Sequence, residues 1–136
     1  MRGSVFHSAE EDPLVGAARR QLCKEKGIDV LLVRAPRHDW TWADYEGLQK
    51  FADEHGVPYL DMNTDVIITE MGIDSKTDMS NKHHLNYKGA EKMTRWLGDY
   101  ITEHYDIDTT DATDSTKAQM KENIVYYDEV VAKYAK

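Results

Sequence analysis

Cysteine occurs once in the 136 residues, at Cys23, which excludes an internal disulfide and a cysteine-built zinc centre. Long apolar runs are missing as well. No stretch approaches the roughly 20 residues a membrane helix needs, so membrane insertion is not expected. Positive charge is scarce: 17 Lys and Arg stand against 25 Asp and Glu, a net −8 with a pI near 5.2. Such a surface repels phosphate backbones and anionic lipid, so no nucleic-acid partner is expected. No apolar stretch follows Met1-Arg2, so no secretory signal is read there, and Met1-Arg2-Gly3-Ser4 has the look of an expression leader. The chain as given is therefore expected in the cytoplasm; a longer parent would be compatible with export or a cell-envelope position.

What is present reads as one soluble domain of 40% hydrophobic and 31% charged residues. Residues 1–11 are small and polar with no period, and are read as a leader. Asp12-Pro13 suits a helix start, Leu14, Ala18 and Leu22 recur every fourth residue, and Gly27 stands where a C-terminal cap belongs. The unbroken Val30-Leu31-Leu32-Val33 fits a strand covered on both faces. Thr41-Trp42-Ala43-Asp44 resembles a capping box, and Trp42, Tyr45, Leu48, Phe51 and Ala52 make one helical stripe closed by Gly56 and Pro58. Residues 57–62 read as a second short strand. Residues 64–72 are open between strand, by the propensity of Val66-Ile67-Ile68, and a short helix bracketed by Asp65 and Gly72. After a polar loop over 73–86, a helix from Tyr87 to Tyr105 puts Ala90, Met93, Leu97 and Ile101 on one face, with Trp96 beside them as expected core. Residues 106–114 are an acidic linker by composition. Met120, Ile124, Tyr127, Val131 and Tyr134 then step by four, three, four and three, which predicts a terminal amphipathic helix over 115–136. Coiled-coil seams share that spacing, although a single helix of this length more often packs on its own domain.

Helix and strand alternate, so the expected fold class is α/β with a parallel sheet flanked by helices, followed by a C-terminal helix. Two strands make a poor parallel sheet. The chain therefore reads as part of a doubly wound domain that needs strands from elsewhere, and self-association is expected.

The run Asn81-Lys82-His83-His84-Leu85-Asn86-Tyr87-Lys88-Gly89-Ala90-Glu91-Lys92 joins a histidine-bearing loop to a helix start. It resembles the last sequence block of the SGNH (GDSL-like) hydrolases. Arg34-Ala35-Pro36 with Trp40, and Gly56-Val57-Pro58-Tyr59-Leu60-Asp61, are similar to segments of a bacterial subgroup of the same enzymes. The resemblance covers about residues 18–105 and implies the C-terminal part of a flavodoxin-like domain, residues 12–105. It also implies a serine esterase or acyl-transfer activity on an acyl ester, often carbohydrate-linked, with no cofactor. By that resemblance His84 is the general base, a role suited to a side chain whose ordinary pKa near 6.5 lets it take and return a proton. The family's aspartate, three positions before that histidine, is here Asn81; Asp78, six before it, is the other candidate to orient the ring. In the serine-protease triad an Asp-to-Asn change costs roughly 10⁴ in turnover.

No nucleophile is legible. There is no Gly-Asp-Ser and no Gly-x-Ser-x-Gly. The activity is therefore expected to be incomplete in this chain alone. The alternative is a non-catalytic, degenerate hydrolase fold acting as an oligomeric or interaction module. A metal site around His83 and His84 is a weaker option, because adjacent residues of an extended segment point apart.

Overall fold

The computed structural model describes residues 4–8, 13–108 and 110–134. Asp12, the expected N-cap of the first helix, and residues 1–3 and 9–11 of the expected leader lie outside the described residues. The fold is mixed α/β and mostly helical, in the order β1 (Ser4–Ser8), α1 (Pro13–Glu25), β2 (Asp29–Arg34), α2 (Trp42–His55), β3 (Tyr59–Asp61), α3 (Asp65–Met71), α4 (Tyr87–His104), α5 (Asp114–Tyr134). It divides into two compact units, Met1–Met93 and Thr94–Lys136.

The first unit holds the sheet. Residues 4–8, expected within a leader, form β1 and pair in parallel with β2, Ser4 opposite Asp29 through Ser8 opposite Val33. This corrects the expectation of two strands to three. Val5-Phe6 is too short to show a period, so the strand is specified by the ladder it joins and not by its own pattern. The order is β1-β2-β3, with β2 in the centre and all pairs parallel. Consecutive strand residues face opposite sides, and both Leu31 and Leu32 are buried, as a strand covered on both faces requires. Cys23, Ala52, Leu60, Met62 and Met71 complete the buried apolar core among the described residues.

Helix ends follow local chemistry. Asp44 N donates to Thr41 Oγ1 while Thr41 N donates to the Asp44 carboxylate, so the capping box forms with aspartate in the glutamate position. α1, α2 and α3 each leave through a left-handed glycine: Gly27, Gly56 and Gly72 have φ of 65°, 62° and 66°. The amide just past each of these glycines returns to a carbonyl five residues back: Ile28 to Cys23, Val57 to Ala52, Ile73 to Ile68. That cap decides residues 64–72 in favour of helix despite the β-branched run. It also shortens β3, since Val57 N–H is spent on the α2 exit and Pro58 has none to give.

Three expected faces are enclosed less than, or differently from, what the sequence spacing predicts. Ala18 and Leu22 are exposed while Cys23 is buried and Gly16 and Arg20 are half-buried, so among the described residues the inward side of α1 does not follow the Ala18–Leu22 line. Trp42, the first residue of α2, is exposed and packs edge-on against Trp40 and Tyr45. In the second unit Trp96, Leu97 and Ile101 are half-buried, so the periodicity of α4 is realised without the full enclosure expected of core residues. α5 starts at Asp114, inside the expected linker, because Thr113 caps it: Thr116 N donates to Thr113 Oγ1 and Lys117 N to Thr113 O. No helix among the described residues is long and apolar enough to cross a membrane.

Candidate functional site

The histidine loop is a short reversal fastened at both ends. Met79 bridges Leu85 in antiparallel fashion, and His84 O accepts from Ser80 N at 2.9 Å and from Ser80 Oγ at 3.1 Å. Asn86 then starts α4. Its Oδ1 accepts from the amides of Lys88 and Gly89, its carbonyl accepts from Ala90 N, and its Nδ2 donates back to Thr77 O at 2.7 Å. The Leu-Asn of the sequence block is thus an N-cap that staples the loop to the helix. Gly89 follows because nothing larger fits: a Cβ there would overlap the carbonyl oxygen of Asp78 and meet Leu85 Cδ2 at 2.8 Å.

Within this frame Asn81 sits beneath His84. Asn81 Oδ1 accepts from His83 N at 2.8 Å and from His84 N at 3.0 Å, and lies 3.0 Å from His84 Nδ1. The two backbone amides can only donate, so the Asn81 atom they meet is its oxygen. An oxygen acceptor requires the proton of a neutral His84 ring to sit on Nδ1. Nε2 then carries the lone pair, the arrangement a general base needs.

Asp78, the other candidate to orient His84, faces a different partner. Its side chain is buried and its Oδ2 accepts from Lys92 Nζ at 2.7 Å and from Asp74 N at 2.8 Å; Thr77 Oγ1 donates to Oδ1. The Asp74 amide first, and the Lys92 ammonium next, hold its carboxyl below the usual carboxylate range. Lys92 Nζ also donates to Gly72 O at the end of α3. Asp78 therefore ties α3, the loop and α4 together, while the ring of His84 meets Asn81.

Two arrangements escaped the sequence reading. The first is Asp61 at the C-terminal end of β3, buried and bonded to neutral donors: Trp40 Nε1 at 2.9 Å, Tyr59 OH at 2.6 Å, Asn63 N at 2.9 Å and Asn63 Nδ2 at 2.8 Å. Burial, and then the bond to Asp61, push the Tyr59 phenol up. The only local signal was the Asp61-x-Asn63 spacing, which suits a side chain bonding to the backbone two residues on. The second lies on the loop after β2. Arg37 Nε and a terminal guanidinium nitrogen hold the two carboxylate oxygens of Asp39 at 2.9 and 3.1 Å. This pairing, with His83 nearby, lowers the Asp39 carboxyl to about 2. His83 Nδ1 stands 2.9 Å from Arg37 and 3.0 Å from Asp39, and can satisfy the first only when neutral and the second only with a proton on Nδ1. His38 N donates to Lys82 O at 2.9 Å, which fastens the two loops directly. The histidine loop is in this way pinned to the segment leaving the C-terminal edge of the sheet, where parallel α/β folds place their sites. A small cleft beside it is lined by Pro36, Arg37, His38, Ile68, Ile73 and Met79.

The His83 and His84 rings stand 6.3 Å apart at 84° and do not converge. Among the described residues no three His, Cys, Asp or Glu side chains gather to hold a metal ion. Nor does any described serine, threonine or cysteine side chain bond to the His84 ring.

No protein-family model matches the chain, and no curated protein matches it. Among solved structures, a crystal structure of a protein from Lactobacillus plantarum aligns with 68% of this chain at 18% identity and a TM-score of 0.48. The chain spans 52% of that protein's length. A likeness at this level carries neither fold nor function to the chain.

Proposed function

We propose that the chain carries the general-base half of an SGNH-like acyl-ester hydrolase or acyltransferase site, on the C-terminal part of a flavodoxin-like domain. His84 is the base and Asn81 the residue that orients it; the serine nucleophile comes from polypeptide outside the described residues. The observation that carries the reading is the His84–Asn81 pair, with Nδ1 committed to Asn81 Oδ1 and Nε2 free to take a proton. In the reaction, Nε2 removes the proton from the serine hydroxyl as its oxygen attacks the ester carbonyl, then returns it to the leaving alkoxide. Asn81 fixes the tautomer but, being neutral, stabilises the transient imidazolium by a dipole alone. Asp78, engaged with Lys92, holds the loop.

Short-chain aryl esters and a serine-directed fluorophosphonate test this. The chain alone should show neither labelling nor His84-dependent turnover. Expressed from its complete reading frame, it should label on a serine and lose turnover in His84→Ala. A complete frame that does neither overturns the proposal, as does turnover by the chain alone that vanishes in His84→Ala.

The second reading is a non-catalytic hydrolase-like fold that works as an oligomeric module. The observation favouring it is the absence of a hydroxyl or thiol at His84 among the described residues. Under both readings we propose that the chain self-associates, supported by the exposed apolar side chains of α5.

A further inference from the structure

α5 runs for 21 residues, about 30 Å, and buries none of them. Five of its apolar side chains, with Lys117 ahead of them, lie along one seam, while Val125 and Tyr126 are exposed off it. Lys117, Met120, Ile124, Tyr127, Val131 and Tyr134 follow each other by three, four, three, four and three residues, the spacing at which two helices interlock. Met120 and Ile124 are 60% and 61% exposed, Tyr127 41% and Tyr134 72%, while Val131 is half-buried. A largely exposed apolar stripe of this kind marks an interaction surface.

We infer that this seam pairs with the same seam of a second copy, with the two α5 helices antiparallel. The inference deepens the self-association reading and is independent of the ester reading. Three features select occupant and direction. An antiparallel pair about a two-fold axis sets Met120 against the partner's Val131 and Ile124 against the partner's Tyr127, so each layer joins a larger side chain to a smaller one. It sets Lys117 against the partner's Tyr134, a cation beside an aromatic ring. Flanking the seam, it brings Lys121 to the partner's Asp128, and by symmetry the pair occurs twice. A parallel pair would stack Lys117 on Lys117 and face Asn123 with Asp128, gaining a repulsion and losing both ion pairs.

Light-scattering mass of the full chain across a dilution series is the test, with circular dichroism to show that helix content is kept. The wild type should be a dimer that dissociates on dilution. Ile124→Lys should raise the dissociation midpoint by about tenfold or more. Val125→Lys, at a residue 58% exposed but off the seam, should leave it in place. Lys121→Asp should weaken the dimer and Lys121→Asp with Asp128→Lys should restore it. A monomer at every concentration overturns self-association and this interface together. A dimer indifferent to Ile124→Lys, or lost equally in Val125→Lys, overturns the seam. A dimer sensitive to Ile124→Lys but unmoved by Lys121→Asp overturns the antiparallel direction alone.

Discussion

Asn81 Oδ1 lies 3.0 Å from His84 Nδ1 while also accepting the amides of residues 83 and 84, so one side-chain oxygen shapes the loop and sets the ring's tautomer. In Asn81→Ala the ring loses its acceptor, and a free imidazole favours the proton on Nε2. Long-range proton–nitrogen correlation spectra of the neutral ring should show the Nδ1-H form in the wild type and a shift toward Nε2-H in the variant. Identical spectra would mean that Asn81 does not set the tautomer.

Asp78 and Lys92 should matter for stability. Removing either partner from a bond between a buried carboxylate and a half-exposed ammonium should cost roughly 1.5–3 kcal/mol, less than for a fully enclosed pair. The folded-state pKa of Asp78 is lowered. Its contribution is therefore complete above the unfolded value near 3.9 and fades as pH falls through the folded value below it. Denaturant midpoints of wild type and Asp78→Asn should differ at neutral pH and converge as the pH drops below about 4. A gap that stays constant into acid would contradict the ion pair.

Gly89→Ala should destabilise by about 1–3 kcal/mol, since the new methyl meets a backbone carbonyl that cannot step aside. Gly56→Ala meets no atoms and should cost about 1–2 kcal/mol through its left-handed backbone alone. The two separate in crystal structures of the variants: Gly89→Ala should displace the 78–85 loop, whereas Gly56→Ala should leave its surroundings unmoved.

Leu31→Ala should cost roughly 2–5 kcal/mol, because the site is 2% exposed in the central strand. Leu97→Ala, half-buried on α4, should cost clearly less. Equal shifts in the denaturation midpoint would reverse that ranking of the two sites.

Much of the chain was legible because its signals are local. The Thr41–Asp44 box, the glycine exits and the two-sided burial of Leu31 and Leu32 each rest on a few neighbouring residues. What was missed depends on partners far along the chain. β1 exists by its ladder to β2, and Lys92 finds Asp78 fourteen residues away through the packing of α4 on the loop. Asp61 gathers Trp40 from 21 residues away. At the candidate site, the family block pointed to His84 and left Asn81 and Asp78 open as its partner. Spacing alone could not tell which carbonyl or carboxylate faced the ring, because that depends on how the loop closes.

The amides of Arg37 and His38 sit on a surface loop, yet neither is free to water. Arg37 N donates to Asn63 Oδ1 at 2.6 Å and His38 N to Lys82 O at 2.9 Å. Hydrogen exchange at these two positions is therefore a gauge of loop separation: each amide can trade its proton only when the segment after β2 lifts from its neighbour. Because they bond to different segments, their exchange rates would report separately on loosening at the end of β3 and at the histidine loop.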